Sequence, residues 1–312
     1  MARTGLVYDD DMLRHDPGSG HPECPARLAA IKTAFEKADI HPPEIPITLA
    51  TPEDLLRVHS EEHVETIRRT CATNARYADP DTHMVQASWK AAMLAAGGAI
   101  SACKAVHEGV VDNAFCAIRP PGHHCEHDRA MGFCLFNNVA IAARWLQQIA
   151  GVKRVAIFDW DVHHGNGTQQ AFLNDPTVYY ASIHQHPFYP GTGWPWERGA
   201  EDTNLNIQMA RGSGPYEWLE AVTKQILPEF ERFKPDFLLL SAGFDAHRLD
   251  PIGGQCLKTE TFAQMTNLVK GFASGRVVSL LEGGYHLEAL GDCAVAHFRA
   301  LQSSTKDNKE TV

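Results

Sequence analysis

Short, continuously apolar segments that alternate with helical stretches most constrain how this chain can fold. Strands are predicted at residues 5–8, 114–118, 155–158, 178–183, 237–241 and 277–281. Helices are predicted at residues 25–38, from 60 onward, 89–107, 137–150, 216–233 with an interruption near Pro228, 261–272 and 287–301. Strands that lack polar alternation are buried on both faces, so the pattern predicts an α/β fold with a parallel sheet covered by helices.

The alternation runs without a linker, which favours one domain over residues 1–302 and a polar tail over 303–312. No apolar run reaches the roughly 18 uncharged residues of a membrane-spanning helix, so we expect no membrane partner. Eight cysteines without a C-x-x-C pair favour reduced thiols and a cytoplasmic protein.

The chain carries 28 basic and 38 acidic residues, a formal net charge of −10. A surface of that sign repels phosphates, so we expect no nucleic-acid partner. The charge is either a solubility feature or an attraction for basic ligands. The oligomeric state stays open.

Unusual polar residues follow four of the predicted strands, where ligands bind in open α/β sheets. They include Asp159, Asp161 and His163 after one strand and Asp245 after a second. Residues 282–285, with the sequence EGGY, follow a third strand, and residues 119–124, with the sequence RPPGHH, follow a fourth.

Asp161 and His163 are two residues apart, so on an extended backbone both side chains point the same way. One oxygen and one nitrogen ligand suit zinc, while iron and cobalt are alternatives. A catalytic site needs a third protein ligand, and Asp245 is the candidate. The competing interpretation is a loop salt bridge between Asp161 and His163.

The adjacent His123 and His124 suggest a general base whose tautomer is fixed by a partner such as Asp159 or Asn166. A Tyr285 hydroxyl after two glycines could stabilise an oxyanion. The alternatives are two exposed loop histidines and a core tyrosine. Phe133 and Tyr189 are candidate tunnel walls, although each could equally belong to the core.

The motifs occur in order along nearly the whole chain, at 4–9, 21–27, 119–124, 131–134, 137–138, 159–168, 182–184, 190–193, 242–245, 250–251 and 282–285. Together they resemble the zinc-dependent histone deacetylases, in particular class II and the bacterial deacetylase-like and acetylpolyamine amidohydrolases. The resemblance implies an arginase/deacetylase-like fold with an eight-stranded parallel sheet.

The resemblance also implies site roles. It assigns one zinc ion to Asp161, His163 and Asp245. His124 becomes the base for the attacking water and then the acid for the leaving amine. The remaining catalytic roles fall to His123 paired with Asp159, to Asn166 as a neutral partner of His124, and to Tyr285 at the oxyanion.

Structural potassium is implied at Asp159, Asp161, His163, Ser182 and Ile183, with a second site at Phe172, Asp175 and Val178. Substrate contacts are implied at Gly132, Phe133, Tyr189, Ile252 and the rim carboxylate Asp81, for which Asp79 is the alternative. Arg27 matches an arginine of the acetate-release channel.

The predicted reaction is the hydrolysis of acetyl-lysine side chains in proteins or peptides. Acetylated polyamines are the alternative substrate, but Ile252 stands at a tunnel-mouth position where polyamine-specific relatives carry Glu. Two other classes remain as alternatives. One is a binuclear manganese ureohydrolase, and the other is an acyl-lysine binding protein that has lost catalysis.

Overall fold

The computed structural model describes residues 1–73 and 77–303. Within these residues the chain alternates strands and helices along its length. The strands are β1 (Thr4–Val7), β2 (Tyr77–Asp79), β3 (Thr82–His83), β4 (Asn113–Cys116), β5 (Val155–Asp159), β6 (Val178–Gln185), β7 (Asn204–Met209), β8 (Phe237–Ala242) and β9 (Val277–Leu281).

Seven of these strands form one parallel sheet in the order β1-β4-β9-β8-β5-β6-β7. β4, β5, β6, β8 and β9 are buried along their whole length, as the apolar segments at their centres predict. All six predicted strands are therefore confirmed. β7 was not predicted, because its sequence alternates polar and apolar residues. β2 and β3, also not predicted, form a separate antiparallel hairpin.

The sheet has seven strands among the described residues, so the implied count of eight is wrong. Beyond β1, Glu44 forms a single parallel bridge with Leu6, through Leu6 N to Pro43 O (2.9 Å) and Ile45 N to Leu6 O (2.8 Å). Prolines at 42, 43 and 46 flank this bridge. Proline has no N–H to donate to a ladder, which prevents an eighth strand from extending here.

Helices lie between the strands. They are α1 (Ala26–Lys37), α2 (Pro52–Leu55), α3 (Glu61–Ala72), α4 (Ser88–His107), α5 (Asn138–Gln148), α6 (Asn166–Phe172), α7 (Pro215–Ala221), α8 (Leu227–Phe233), α9 (Thr259–Val269) and α10 (Leu287–Gln302). Three-residue to five-residue 3-10 turns occur at Asp10–Arg14, Ala200–Asp202 and Phe272–Gly275.

Local sequence explains where several helices begin and break. Ser60 caps α3 by accepting a hydrogen bond from His63 N (3.1 Å). Asn137 caps α5 in the same way through Ala140 N (3.0 Å). Between α7 and α8 the chain forms a π-helical turn, Val222–Ile226, just before Pro228. Proline removes a helical N–H, which accounts for the predicted interruption.

No helix among the described residues is both long and apolar enough to cross a membrane. All eight cysteines are free thiols. The division into a domain at 1–302 and a tail at 303–312 stays a prediction, because residues 304–312 lie outside the described part of the chain.

Candidate active site

The register of the central strands brings the polar motifs to one edge of the sheet. Asp159 at the end of β5 pairs with Ser241 of β8, and Ala242 pairs with Leu281 of β9. The segments that leave these strands therefore start side by side. Asp161, Asp245 and the 282–285 turn follow within a few residues, as predicted from the carboxyl ends of parallel strands.

Asp161, His163 and Asp245 converge in a buried cluster whose candidate ligand atoms lie within 4.8 Å of one another. His163 Nδ1 lies 2.9 Å from Asp161 Oδ1 and 3.2 Å from Asp245 Oδ2. Because the Asp245 carboxylate also faces the His163 imidazole, a salt bridge between Asp161 and His163 alone does not account for the cluster.

The backbone holds the outer side of this cluster. Asp161 Oδ2 accepts a hydrogen bond from Gly283 N (2.7 Å), and Asp245 Oδ1 accepts one from Val162 N (2.9 Å). A Cβ on Gly283 would lie 2.1 Å from Asp245 Oδ2, so only glycine permits this approach.

The donor set fits a zinc ion. Asp245 Oδ2 is buried and accepts no hydrogen bond among the described residues. Burial and the Asp161 charge raise the pKa of Asp245 to about 7. Burial disfavours a charged His163, yet its carboxylate neighbours raise its pKa to about 9. Two carboxylates crowded around one imidazole in a buried cluster are the environment that a divalent cation neutralises.

His123 and His124 lie beside this cluster and are only 2% and 4% exposed, so the interpretation as exposed loop histidines is wrong. His123 Nδ1 lies 3.0 Å from Asp159 Oδ2, and His124 Nδ1 lies 2.8 Å from Asn166 Oδ1. Each histidine therefore has the partner that the family resemblance implies. The catalytic roles of these four residues stay predictions.

The two partners give the adjacent imidazoles different proton affinities. Burial opposes charge on His123, but Asp159 and Asp161 raise its pKa to about 10. Burial and the charges of His123 and His163 hold the pKa of His124 well below its usual range. These opposite shifts favour a charged His123 and a neutral His124, an arrangement that separates an electrostatic role from a base role.

Tyr285 sits on a loop that Arg27 and Asp250 fix. Arg27 is fully buried and donates from Nε to Gly284 O (2.7 Å) and from Nη2 to Glu282 O (2.5 Å). Asp250 Oδ2 accepts from Tyr285 N (2.7 Å). The Tyr285 ring packs edge-on against Phe133, with the centroids 5.9 Å apart, and burial raises the pKa of its phenol. The phenol therefore keeps a proton to donate.

Two buried carboxylates that sequence reasoning left without a role support these loops. Glu282 accepts from Gly122 N (2.7 Å), His123 N (3.2 Å) and Ser241 Oγ (3.0 Å). Glu23 accepts from Arg27 and Arg119 at 2.5–3.0 Å. Both lie in the motifs named above, but Glu282 binds mainly main-chain N–H groups, and Glu23 joins the nearby Arg27 to Arg119, which is 96 residues away.

Aromatic side chains surround the histidines and Tyr285. Tyr189 packs edge-on against His124, with the ring centroids 5.2 Å apart, and Phe188 stacks on His163 at 5.0 Å. Gly132 has a φ of +56°, and a Cβ there would lie 2.4 Å from His124 Cδ2. These positions suit walls around a bound chain, and the tunnel role stays a prediction.

The predicted rim residues lie on loops tied to those walls. The Asp81 carboxylate accepts from Thr82 Oγ1 (2.9 Å), whose oxygen accepts from Phe133 N (3.1 Å). Asp79 instead pairs with Arg129 at 3.1 Å, which leaves Asp81 as the better rim candidate. Ile252 N donates to Asp250 Oδ1 (2.9 Å), so the candidate gate shares its anchor with the Tyr285 loop.

The potassium sites also stay predictions. Asp159 of β5 pairs with Ser182 of β6, and Ile183 is the next residue of β6. Asp159 Oδ1 also accepts a hydrogen bond from Asp161 N (3.2 Å). The second set lies at the end of α6. There Asp175 N donates to Phe172 O (2.9 Å), Val178 N donates to Asp175 O (3.2 Å), and Arg144 pairs with the Asp175 carboxylate.

Comparison with known proteins agrees with this geometry. Residues 21–301 match the family described as the histone deacetylase domain. An uncharacterized protein of Synechocystis sp. is 40% identical over 306 residues, which cover 96% of this chain and 99% of that protein. A probable deacetylase of Archaeoglobus fulgidus is 40% identical over 296 residues, which cover 91% of this chain and 82% of that protein.

Plant relatives extend the comparison. Histone deacetylase 5 of Arabidopsis thaliana is 37% identical over 322 residues, covering 96% of this chain but 49% of that protein. The crystal structure of the HDA15 HD domain superposes with a TM-score of 0.92 at 37% identity, covering 97% of this chain and 92% of that chain.

The chain belongs to the histone deacetylase family, as the sequence motifs predict. It is a hydrolase of that family with a candidate metal site at Asp161, His163 and Asp245. The arginase/deacetylase-like α/β fold is likewise confirmed, with seven strands in the parallel sheet.

Proposed function

We propose that this protein is a zinc-dependent deacetylase that hydrolyses N-acetyl amides, with acetyl-lysine side chains of proteins or peptides as its substrates. One observation carries the proposal. The buried Asp161, His163 and Asp245 cluster lies beside two histidines whose partners differ, one a carboxylate and one an amide. Family membership supplies the class of reaction, and this arrangement supplies the groups that such a reaction needs.

The three cluster residues would hold the ion, and their two carboxylates would balance its formal charge of +2. Zinc, when bound, polarises a carbonyl and lowers the pKa of water. The donor set has three protein ligands, the number typical of a catalytic zinc site with an open position for substrate. A binuclear manganese site would need further carboxylates at this edge, and the neighbouring positions are His123, His124 and Tyr285.

His124 acts as the base that takes the proton of the attacking water and then returns it to the leaving amine nitrogen. It is suited to this because Asn166 occupies its Nδ1 and leaves Nε2 for the substrate side. The contact with Asp159 favours the protonated form of His123, and in that form His123 stabilises developing negative charge. Tyr285 donates a hydrogen bond from its phenolic O–H to the carbonyl oxygen as negative charge develops there.

The substrate preference follows from the tunnel mouth. Ile252 offers a polyamine no charge, whereas its aliphatic surface suits the neutral stem of an acetyl-lysine. The net charge of −10 would favour polycations, but exposed charges more than about 8–10 Å away are screened at physiological salt. Asp81 is half-buried beside Phe133 and can accept main-chain N–H groups of a bound peptide.

The test is a hydrolysis panel of acetyl-lysine peptides, longer acyl-lysines, acetylspermidine and acetylputrescine. We expect acetyl-lysine peptides to have the highest kcat/KM, chelation to abolish the rate and added zinc to restore it. Acetylated polyamines that react tenfold faster, about 1.4 kcal/mol of transition-state preference, would overturn the substrate assignment.

His124→Ala provides the control, because it should retain zinc and lose the rate. A wild-type protein that binds acetyl-lysine peptides with zinc in place but hydrolyses none would instead favour a binding protein.

A further inference from the structure

We propose that Glu126 is a positioning residue for the base, the third member of a chain in which a carboxylate holds an amide and the amide holds the imidazole. The inference rests on the proposed function, because it assumes that His124 is the base. Glu126 lies two residues after His124, and its carboxylate meets the Asn166 side chain on the side away from that imidazole.

The amide of Asn166 lies between groups of opposite hydrogen-bonding character. Its Nδ2 donates to Glu126 Oε1 (2.7 Å) and is 3.3 Å from the His124 main-chain oxygen. Its Oδ1 lies 2.8 Å from His124 Nδ1. An ionised carboxylate and a carbonyl can only accept hydrogen bonds, so the amide nitrogen must face them. The amide oxygen must then face His124.

That orientation determines which nitrogen of the base carries a proton. Asn166 Oδ1 can only accept, so His124 Nδ1 must donate to it. In a neutral imidazole the lone pair then resides on Nε2, the nitrogen needed to accept a proton. If the amide rotated by half a turn, its NH2 would face Nδ1 and favour the opposite tautomer. The Glu126 carboxylate opposes that rotation, because the amide oxygen would then face an anion.

Glu126 also supplies the charge that an asparagine lacks. His123 has a carboxylate in direct contact, whereas His124 contacts a neutral amide. A hydrogen bond to a charged acceptor is roughly twice as strong as one to a neutral acceptor. The hydrogen bond to Glu126 also polarises the Asn166 amide and makes its Oδ1 a stronger acceptor for His124. A carboxylate beyond Asn166 therefore strengthens the hold on His124 while its charge stays one side chain away.

The test is a double-mutant cycle on the zinc-loaded full chain with an acetyl-lysine peptide. Glu126→Gln should lower kcat about tenfold, the lower end for an outer partner of a catalytic group, with KM and zinc content unchanged. Asp128→Asn removes the same charge from an exposed neighbour two residues away and should leave kcat within about twofold of wild type.

The second arm uses Asn166→Asp. This change sets a carboxylate against Glu126, with oxygens about as close as the present 2.7 Å contact, and should lower kcat. In that background Glu126→Gln should raise kcat, because the new amide can donate to the new carboxylate. The effect of Glu126→Gln therefore changes sign between the two backgrounds.

A third measurement does not depend on catalysis. Two-bond 1H–15N correlation spectra of 15N-histidine protein, with His124 assigned from His124→Gln, report its tautomer. Wild-type protein should show His124 protonated at Nδ1 alone, and Glu126→Gln should show a mixture. Equal losses of kcat on Glu126→Gln in the wild-type and Asn166→Asp backgrounds, or an unchanged tautomer in Glu126→Gln, would overturn the role of Glu126. If the wild-type protein hydrolyses no acetyl amide, the proposed function fails, while the spectra still decide the tautomer.

Discussion

Gly132→Ala should disable the active site without removing the metal ligands. Gly132 adopts a φ of +56°, and its missing side chain leaves room for the imidazole of His124. A Cβ built at this position lies 2.4 Å from His124 Cδ2 and 2.7 Å from Cγ. Both are ring atoms of the proposed base, so the substitution pushes directly on the group that moves the proton.

The size of the effect follows from the geometry. Ordinary van der Waals contact begins at 3.4 Å, so the imidazole or the Gly132 loop must move by about 1 Å. A displacement of that size at a reacting group can cost ~10²-fold in rate. The left-handed backbone adds about 1–2 kcal/mol of strain for an L-residue, part of which appears as lower stability.

Gly151→Ala separates the two contributions. Gly151 has a similar φ of +72°, but a Cβ there meets nothing within 4 Å. Both variants should therefore lose similar stability in thermal or denaturant unfolding. Only Gly132→Ala should lose kcat, measured with an acetyl-lysine peptide at saturating zinc, and its zinc content should match that of wild type.

Two results would refute this reasoning. If Gly132→Ala keeps kcat within about threefold of wild type, the loop can move away and the contact with His124 is not restrictive. If Gly151→Ala loses as much activity as Gly132→Ala, the loss comes from backbone strain and not from the displaced imidazole.

Three further predictions concern the metal, the phenol and acid stability. Asp245→Ala should lower zinc content, measured by elemental analysis, and abolish hydrolysis, because it removes the oxygen that lies 3.2 Å from His163 Nδ1; zinc bound at full occupancy would contradict this. Tyr285→Phe should retain zinc and lower kcat by ~10²–10³-fold, the cost of one oxyanion donor, and an unchanged rate would assign Tyr285 to the core. Burial lowers the pKa of His297 from 6.5 to about 3. Between these two pH values the unfolded chain therefore binds more protons than the folded protein. The free energy of unfolding should fall on acidification by up to about 1.4 kcal/mol per pH unit. His297→Asn should flatten this slope in denaturant titrations between pH 6.5 and 4, and an identical slope would mean that His297 is not protonated on unfolding.

Sequence alone predicts the site residues whose chemical type and position directly after a buried strand both indicate a role. Asp161 and His163 are informative because oxygen and nitrogen ligands two residues apart follow a buried strand. Asp245 follows another such strand, and parallel sheets collect these ends at one edge. All three residues lie in one buried cluster, as expected.

Sequence reasoning missed elements whose signal is weak along the chain. β7 contains Asn204, Asn206 and Gln208 between apolar residues, so it lacks the continuous apolar run used to identify the other strands. It is the edge strand of the sheet and pairs only with β6 among the described residues. The implied eighth strand is absent from the described residues because prolines flank Glu44, and these prolines are visible in the sequence. The count of eight was carried over from the family and did not take these prolines into account.

The supporting carboxylates were missed for a different physical reason. Glu282 is 160 residues from Gly122 and binds its main-chain N–H, a group that nearly every residue carries. The residue type at position 122 therefore cannot predict a contact with Glu282. Asn166 shows the intermediate case, because its identity indicates that the base has a neutral partner. The effect of Asn166 on His124 also depends on which group accepts the hydrogen bond from its amide nitrogen. Since Glu126 is only two residues from His124 along the chain, its position could have suggested the answer, but only the fold shows that its carboxylate lies behind the amide and not toward solvent.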